Sequence, residues 1–145
     1  MRHTTLPPAT ADDTENAFYD ALQHADLERL MACWADEEDI VCVHPGGPRL
    51  VGSVAIRAAF ETLFANGSVK VQPERVKRVE ADSFSVHSVV ERVELLGDDG
   101  MMNAWVVATN VYANTEQGWR LVLHHASPGA RTEPTDALSA PTVLH

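Results

Sequence analysis

The hydrophobic pattern of this chain changes from a mainly helical period to a strand period at Gly67, and this change constrains the fold more than any other feature. Before Gly67, apart from two short strand-like runs, apolar residues recur every three or four positions, which indicates amphipathic helices. After Gly67, they alternate with polar residues over four long segments, which indicates strands. The breaks between these segments, "ADS", "GDDG" and "NTEQG", are short and turn-forming. Neighbouring strands should therefore pair antiparallel, and the sequence predicts an α+β fold with helices covering one sheet face.

Three helices are predicted in the first half of the chain. The first begins at about Asp12, Asp26 caps the second, and Ser53 caps the third. The strands, including a short edge strand at "RLVG", are predicted at 40–44, 49–52, 69–80, 84–96, 101–113 and 119–125. Strands this long favour a strongly twisted, curved sheet. Helices packed on its concave side would leave a cone with an internal cavity.

Length and charge limit the organisation and the partners. The 145 residues suit one domain, predicted at 11–129, with a flexible arm at 1–10 and a flexible tail at 130–145. The formal net charge of −10 disfavours nucleic acid and membrane surfaces as partners. Residues 1–16 contain no hydrophobic run of a secretory signal, and Cys33 and Cys42 fit no disulfide framework. These features predict a cytoplasmic protein with reduced cysteines.

Three stretches carry a resemblance to a known superfamily: "FYDALQHADLERLMACWADEEDIVCVHPGG", "LVGSVAIRAAFETLF" and "WRLVLHHASPG". They resemble NTF2-like proteins and, within these, the SnoaL-like and ketosteroid-isomerase-like domains. The resemblance covers about residues 11–129. It implies a cone of three N-terminal helices packed on a strongly curved, mixed, mostly antiparallel sheet. It leaves function open, because this fold hosts isomerases, hydrolases, cyclases, dehydratases and proteins without catalysis.

The catalytic residues of the ketosteroid isomerases mostly have no counterpart here. The resemblance places His44 where those enzymes have a general-base aspartate before a proline. Their oxyanion tyrosine falls on Phe18, with Tyr19 beside it, and their protonated aspartate falls near Thr109 or Asn110. Which of the last two faces the pocket is left open. Steroid isomerase chemistry is therefore not expected.

Two histidines at strand ends are the candidate catalytic residues. His44 shares a strand face with Cys42, and a neutral imidazole there can act as a general base near pH 7. His125 alternates with Leu123, so we expect His125 in the interior and His124 on the opposite face. The alternative for both candidates is a polar strand end that satisfies nearby backbone groups.

Further side chains are candidates for ligand binding. Arg57 could bind an acidic ligand, although an exposed helix arginine is the commoner case, and Trp105 is either core or pocket wall. Charged residues at 91, 92 and 94 are explained by cross-strand ion pairs. The predicted ligand-binding set is Phe18, Tyr19, Trp34, Arg57, Phe60, Trp105 and Asn110.

No metal and no cofactor are predicted. Three imidazoles, His44, His87 and His125, would suit zinc or iron, but they come from distant strands without ligand spacing. Nucleotide-binding and nucleophile-elbow motifs are also missing from the sequence.

Two functions of different classes remain. The first is a small-molecule-binding protein with an apolar pocket, in which any catalysis would be a general acid/base step on a hydrophobic substrate, with His44, Asn110 and His125 as the polar groups. The alternative is a non-catalytic oligomerisation or association domain. An open cavity that meets at least two of the three polar groups would favour the first function. A homodimer is expected in either case, since the helices leave one sheet face uncovered.

Overall fold

The computed structural model describes residues 8–130, apart from the side chains of residues 96 and 97. Most of the arm predicted at 1–10 and nearly all of the tail predicted at 130–145 lie outside the described residues. Thr10, which the sequence places in the arm, is the N-cap of the first helix. It forms a capping box in which Thr10 Oγ1 accepts from the Asp13 backbone N–H and the Asp13 carboxylate accepts from the Thr10 N–H.

The three predicted helices are α1 (Ala11–His24), α2 (Leu27–Met31) and α3 (Ser53–Ala65). Asp26 caps α2 as predicted, because its side chain accepts from the Arg29 backbone N–H at 3.1 Å. The prediction that Ser53 caps α3 is wrong. The N-cap is Gly52, which has φ +89° and no side chain to accept a hydrogen bond, and Ser53 is the first helical residue. A positive φ is a conformation that glycine adopts at little cost.

Six strands form one mixed sheet in the order β2-β1-β6-β5-β4-β3. β1 is parallel to β6, and every other neighbouring pair is antiparallel. The predicted fold class is confirmed, and the predicted strand ends differ from the observed ones by only a few residues. The strands are β1 (Val41–Val43), β2 (Arg49–Val51), β3 (Val71–Glu80), β4 (Phe84–Gly97), β5 (Gly100–Thr115) and β6 (Gly118–Pro128).

A bulge in β6 changes which side chains face inward. Val111 of β5 pairs with Leu123, but the next residue, Tyr112, pairs with Leu121, so Val122 is the extra residue. A bulge of this kind reverses the alternation of side chains beyond it. Residues after Val122 therefore point to the opposite face from the one that simple alternation predicts.

The helices pack on the inner face of the sheet and enclose the hydrophobic core. Phe18 of α1 lies at its centre, with edge-to-face contacts to Tyr19, Trp34 and Phe60 at centroid distances of 5.3, 6.5 and 6.2 Å. Within residues 8–130, every helix is too short or too polar to span a bilayer. The core fills one part of the cone, and an open cavity occupies the rest.

Candidate functional site

The inner face of the sheet and α3 enclose a cavity of about 570 Å³. This volume lies within the range of small-molecule sites, at roughly 300–1,000 Å³. Its wall is mostly apolar. Its polar side chains come from β4, β6 and the end of β1, with Thr62 and Asn66 from α3 and its C-cap. The lining residues that bear on the chemistry are Phe18, His44, Phe60, Glu91, Val93 and His124.

Glu91 is the acidic residue in the cavity wall. It lies on β4, and its side chain is buried, with 6% of the residue exposed. The Tyr19 hydroxyl donates to Glu91 Oε2 at 2.6 Å. The pKa of Glu91 is raised to about 7, chiefly by burial; the Tyr19 hydrogen bond opposes the rise, and the charge of Glu15 contributes to it. Glu91 can therefore both release and take up a proton near neutral pH.

A second carboxylate, Glu15 of α1, lies behind the cavity wall and organises the polar groups there. Its Oε2 accepts from Tyr112 Oη at 2.7 Å, from Asn110 Nδ2 at 3.2 Å and from His87 Nδ1 at 3.0 Å. The remaining nitrogen of His87, Nε2, lies 3.0 Å from Ser85 Oγ. All these side chains are buried and have partners, as buried polar groups require. Glu15 thus fixes the positions of the Tyr112, Asn110 and His87 side chains.

The network determines which nitrogen of His124 carries the proton. The Glu15 carboxylate can only accept a hydrogen bond, and the Tyr19 hydroxyl already donates its proton to Glu91. Both oxygens must therefore accept from the amide NH₂ group of Asn110. The Asn110 oxygen then faces His124 Nδ1 at 2.5 Å and can only accept from it. His124 therefore carries its proton on Nδ1 and presents Nε2 as an acceptor toward the cavity. Nε2 has no hydrogen-bond partner among the described residues.

His124 is held neutral. Burial, together with the nearby His44 and His125, lowers its pKa to about 3. An imidazole with so low a pKa is a weak base at neutral pH. It acts better as a fixed hydrogen-bond acceptor than as the group that removes a proton.

His44 lines the cavity, half-buried, directly after β1. Its ring packs edge-to-face on Phe60 at 5.0 Å, and its Nε2 lies 3.8 Å from Cys42 Sγ. Burial lowers the pKa of His44 below 6.5, which favours the neutral ring at pH 7. The position and the direction of this shift agree with the expectation from the sequence. Whether His44 acts on a ligand stays a prediction.

The predicted inward position of His125 is wrong. Because the bulge at Val122 reverses the alternation, His124 is buried and His125 is exposed. The same pairing register resolves the choice between Thr109 and Asn110. Asn110 is fully buried behind the cavity wall, opposite His124, whereas Thr109 pairs with His125.

The other predicted ligand-binding residues divide into two groups. Phe18 and Phe60 line the cavity, while Tyr19 lies behind its wall and reaches it through Glu91. Trp34, Arg57 and Trp105 do not line it.

Each of these three residues has a different position. Trp34 is buried between the helices and β6, where its backbone bridges to Leu121. Arg57 projects from the outer side of α3 and pairs with Glu28. Trp105 follows the alternation of β5 onto the outer sheet face, next to Arg92. The predicted ligand-binding position is therefore wrong in geometry for all three residues, Trp34, Arg57 and Trp105.

The three imidazoles considered for a metal do not converge. His87 is buried against Glu15, His44 lines the cavity, and His125 is exposed. Among the described residues, Asp12, Glu15 and His87 do bring ligand atoms within 4.8 Å of one another. However, both nitrogens of His87 and the Glu15 oxygen already take part in the hydrogen bonds described above, so this cluster is explained by its role in the network.

Sequence reasoning missed Glu15, Glu91 and His124. Glu91 alternates with Val89 and Val93 on the inward face of β4, and Glu15 lies on the buried stripe of α1, four residues after Ala11. A charged residue within such a stripe was the available signal in both cases. No comparable signal existed for His124, because its orientation depends on the bulge.

Comparisons with known proteins give a consistent family. A family model described as a SnoaL-like domain matches residues 12–131. None of the curated proteins compared matches the chain significantly.

Three solved structures illustrate the similarity. A protein from Thiobacillus denitrificans, provisionally named a calcium/calmodulin-dependent protein kinase type II association domain, is 32% identical. The match covers 88% of this chain and 100% of that one, with a TM-score of 0.76. A provisionally named dehydratase of the NTF2-like family from Streptomyces avermitilis is 30% identical, with 80% and 91% covered and a TM-score of 0.71. The CaMKII hub of S. rosetta, 20% identical over 87% and 100% of the two chains with a TM-score of 0.66, shares the fold.

Proposed function

Because the chain belongs to the SnoaL-like domain family, we propose that it binds a hydrophobic small molecule in the cavity and transfers a proton to or from it. One observation carries the proposal: the Glu91 carboxyl stands in an otherwise apolar wall, with its pKa raised to about 7 by burial. Enzymes tune carboxyl groups toward neutrality in this way when they serve as general acids or bases.

The geometry suggests a separate role for each polar group. Glu91 is the proton carrier, since its pKa lies nearest to neutral pH. His124 Nε2 is an acceptor that orients a hydroxyl or N–H of the ligand. His44, at the end of β1, is a second proton acceptor, as expected from the sequence. A single carboxyl that takes up and returns a proton suits an isomerisation, whereas a dehydration needs a second acid or base, which His44 can supply.

The open cavity favours small-molecule binding over a non-catalytic association domain whose cone is filled with side chains. Of the three polar groups named from the sequence, only His44 lines the cavity, so the condition of at least two such groups is not met. The proposal depends instead on the polar contacts of Glu91 and His124. The Streptomyces avermitilis protein, which is provisionally named a dehydratase, is in line with a proton-transfer reaction.

Proton exchange into a bound ligand tests this function and does not require the physiological substrate. A panel of hydrophobic ketones and alcohols is screened by thermal shift, and ligands that bind are incubated in D₂O and followed by NMR. The protein should catalyse deuterium uptake at carbon beside a carbonyl, Glu91→Gln should abolish uptake while binding persists, and Glu94→Gln should match the wild type. Glu94 is a suitable control because it is exposed on the same strand. Uptake that survives Glu91→Gln would contradict the assigned role.

A second function, association through the sheet, is favoured by the outer face. Val107 is 39% exposed there, and Trp105 is only half-buried, next to it along β5. The similar Thiobacillus denitrificans protein is provisionally named an association domain. We propose a homodimer built on this face, which is compatible with a ligand-binding cavity on the other. Light scattering should show a dimer at tens of micromolar and a shift toward monomer for Val107→Asp. A wild-type monomer would refute the dimer.

A further inference from the structure

The charges around the cavity indicate which ligands it can accept. None of the described residues that line it is lysine or arginine. Its titratable side chains are Glu91, His44 and His124, and burial keeps both imidazoles neutral at pH 7. The wall can therefore contribute negative charge, through Glu91, but no positive charge.

Two arginines of the elements that line the cavity, Arg57 and Arg92, do not line it themselves. Arg57 lies on the outer side of α3 and pairs with Glu28. Arg92 follows Glu91 on β4 and so points to the outer face, where its Nε lies 3.9 Å from Glu74 Oε2. A buried anion in the cavity would thus lack a counter-ion, and an unpaired buried charge is costly.

The other groups around Glu91 add no positive charge to the cavity. From α1 come the Tyr19 hydroxyl and the Glu15 carboxylate, which adds negative charge. From β5 comes Asn110, which is neutral, and β6 contributes the neutral His124. The other lining side chains of β3 and β4 are apolar, and those of α3 and its C-cap, including Thr62 and Asn66, carry no charge.

We infer that the cavity accepts ligands whose buried end is an uncharged alcohol, phenol or ketone, that it rejects carboxylates and phosphates, and that Glu91 is the specificity-determining residue. This inference rests on the proposed small-molecule function and narrows its substrate class. A neutral hydroxyl can donate to His124 Nε2 and exchange hydrogen bonds with Glu91 in either protonation state, whereas a ketone can only accept, from the protonated form of Glu91. A carboxylate can do neither with an ionised Glu91, and the two charges repel in a site of low dielectric.

Two rigid probes of matched size test the inference: 2-naphthalenemethanol, which is neutral, and 2-naphthoate, which is anionic. Binding is measured by calorimetry at pH 8, where Glu91 is mostly ionised, and the ring signals of His124 report whether a probe occupies the cavity. The alcohol should bind at least about 100-fold more tightly than the carboxylate. Charge repulsion and desolvation of the carboxylate should each weaken its binding by about tenfold.

Variants separate the role of Glu91 from that of the apolar wall. Glu91→Gln should strengthen binding of 2-naphthoate by about tenfold and change binding of the alcohol by less than about threefold, since only one repulsive charge is removed. Glu94→Gln should leave both affinities at the wild-type values. Equal affinity of the wild type for the two probes, or no gain of carboxylate binding in Glu91→Gln, would overturn this inference and leave the proposed function intact. If neither probe, nor any ligand of the hydrophobic panel, perturbs His124 in folded protein, the proposed function fails and the inference fails with it.

Discussion

Replacing Glu91 with glutamine should remove a pH dependence of stability that burial of this carboxyl creates. The pKa of Glu91 rises from its ordinary 4.5 to about 7 on folding. Between these two values the folded state holds a proton that the unfolded state has released. The stabilising contribution of neutral Glu91 is therefore present in full below pH 4.5 and is lost as the pH rises through 7.

The magnitude follows from the size of this change. At about 1.4 kcal/mol per pH unit, the wild type should lose roughly 3 kcal/mol relative to Glu91→Gln between pH 4.5 and pH 7.5. For a chain of this size, that corresponds to a difference in Tm of roughly 10 °C. The side chain is buried, so solvent screening reduces the effect only slightly.

His124 makes the comparison with a variant necessary. Its pKa falls from 6.5 to about 3 on folding, so its contribution is present above pH 6.5 and is lost as the pH falls through 3. The two groups therefore change the stability of the wild type in opposite directions between pH 4.5 and 6.5. The difference between wild type and Glu91→Gln cancels the effect of His124 and isolates that of Glu91.

The assay is urea unfolding followed by tryptophan fluorescence at pH 5, 6, 7 and 8. The difference in free energy of unfolding between Glu91→Gln and wild type should increase with pH up to about 7 and level off above it. Glu94→Gln, which changes an exposed glutamate of the same strand, should parallel the wild type. If the free energies of unfolding of wild type and Glu91→Gln change in parallel with pH, Glu91 ionises as it does in water. That result would refute the acid/base assignment.

Three further predictions concern the same network. Ring-¹⁵N spectra should show the proton of His124 on Nδ1 and no titration between pH 5 and 8, and a proton on Nε2 would contradict the inferred order of the hydrogen bonds. Tyr19→Phe should move the pKa of Glu91 above 7, because it removes the hydrogen bond that lowers this pKa. An unchanged midpoint in the pH dependence of the rate would count against the hydrogen bond between Tyr19 and Glu91. His44→Asn should keep the fold, since the site follows a strand end, and weaken ligand binding. A His44 ring that titrates like an exposed histidine would argue against its place in the cavity.

The order and type of the elements could be predicted because their causes are local. The change of period at Gly67 distinguishes helices from strands. The three short turns after it force antiparallel neighbours, and Asp26 begins α2 through a contact three residues away. Each of these signals acts over a few residues, so it can be recognised without a tertiary structure.

Other parts of the site depend on contacts between distant residues. Glu15 binds partners 72, 95 and 97 residues further along the chain, and nothing in the sequence pairs them. Glu91 would be an ordinary glutamate in water, and only burial in the cone moves its pKa to about 7.

The strand-end histidines show the same division at two neighbouring positions. Side chains alternate along a strand, and this local property places one of His124 and His125 in the interior. The pairing of β6 with β5, where Val122 is accommodated as a bulge, decides that the inward residue is His124. Because a shift of one residue exchanges the two faces of a strand, local alternation limited the choice to these two residues, and long-range pairing decided between them.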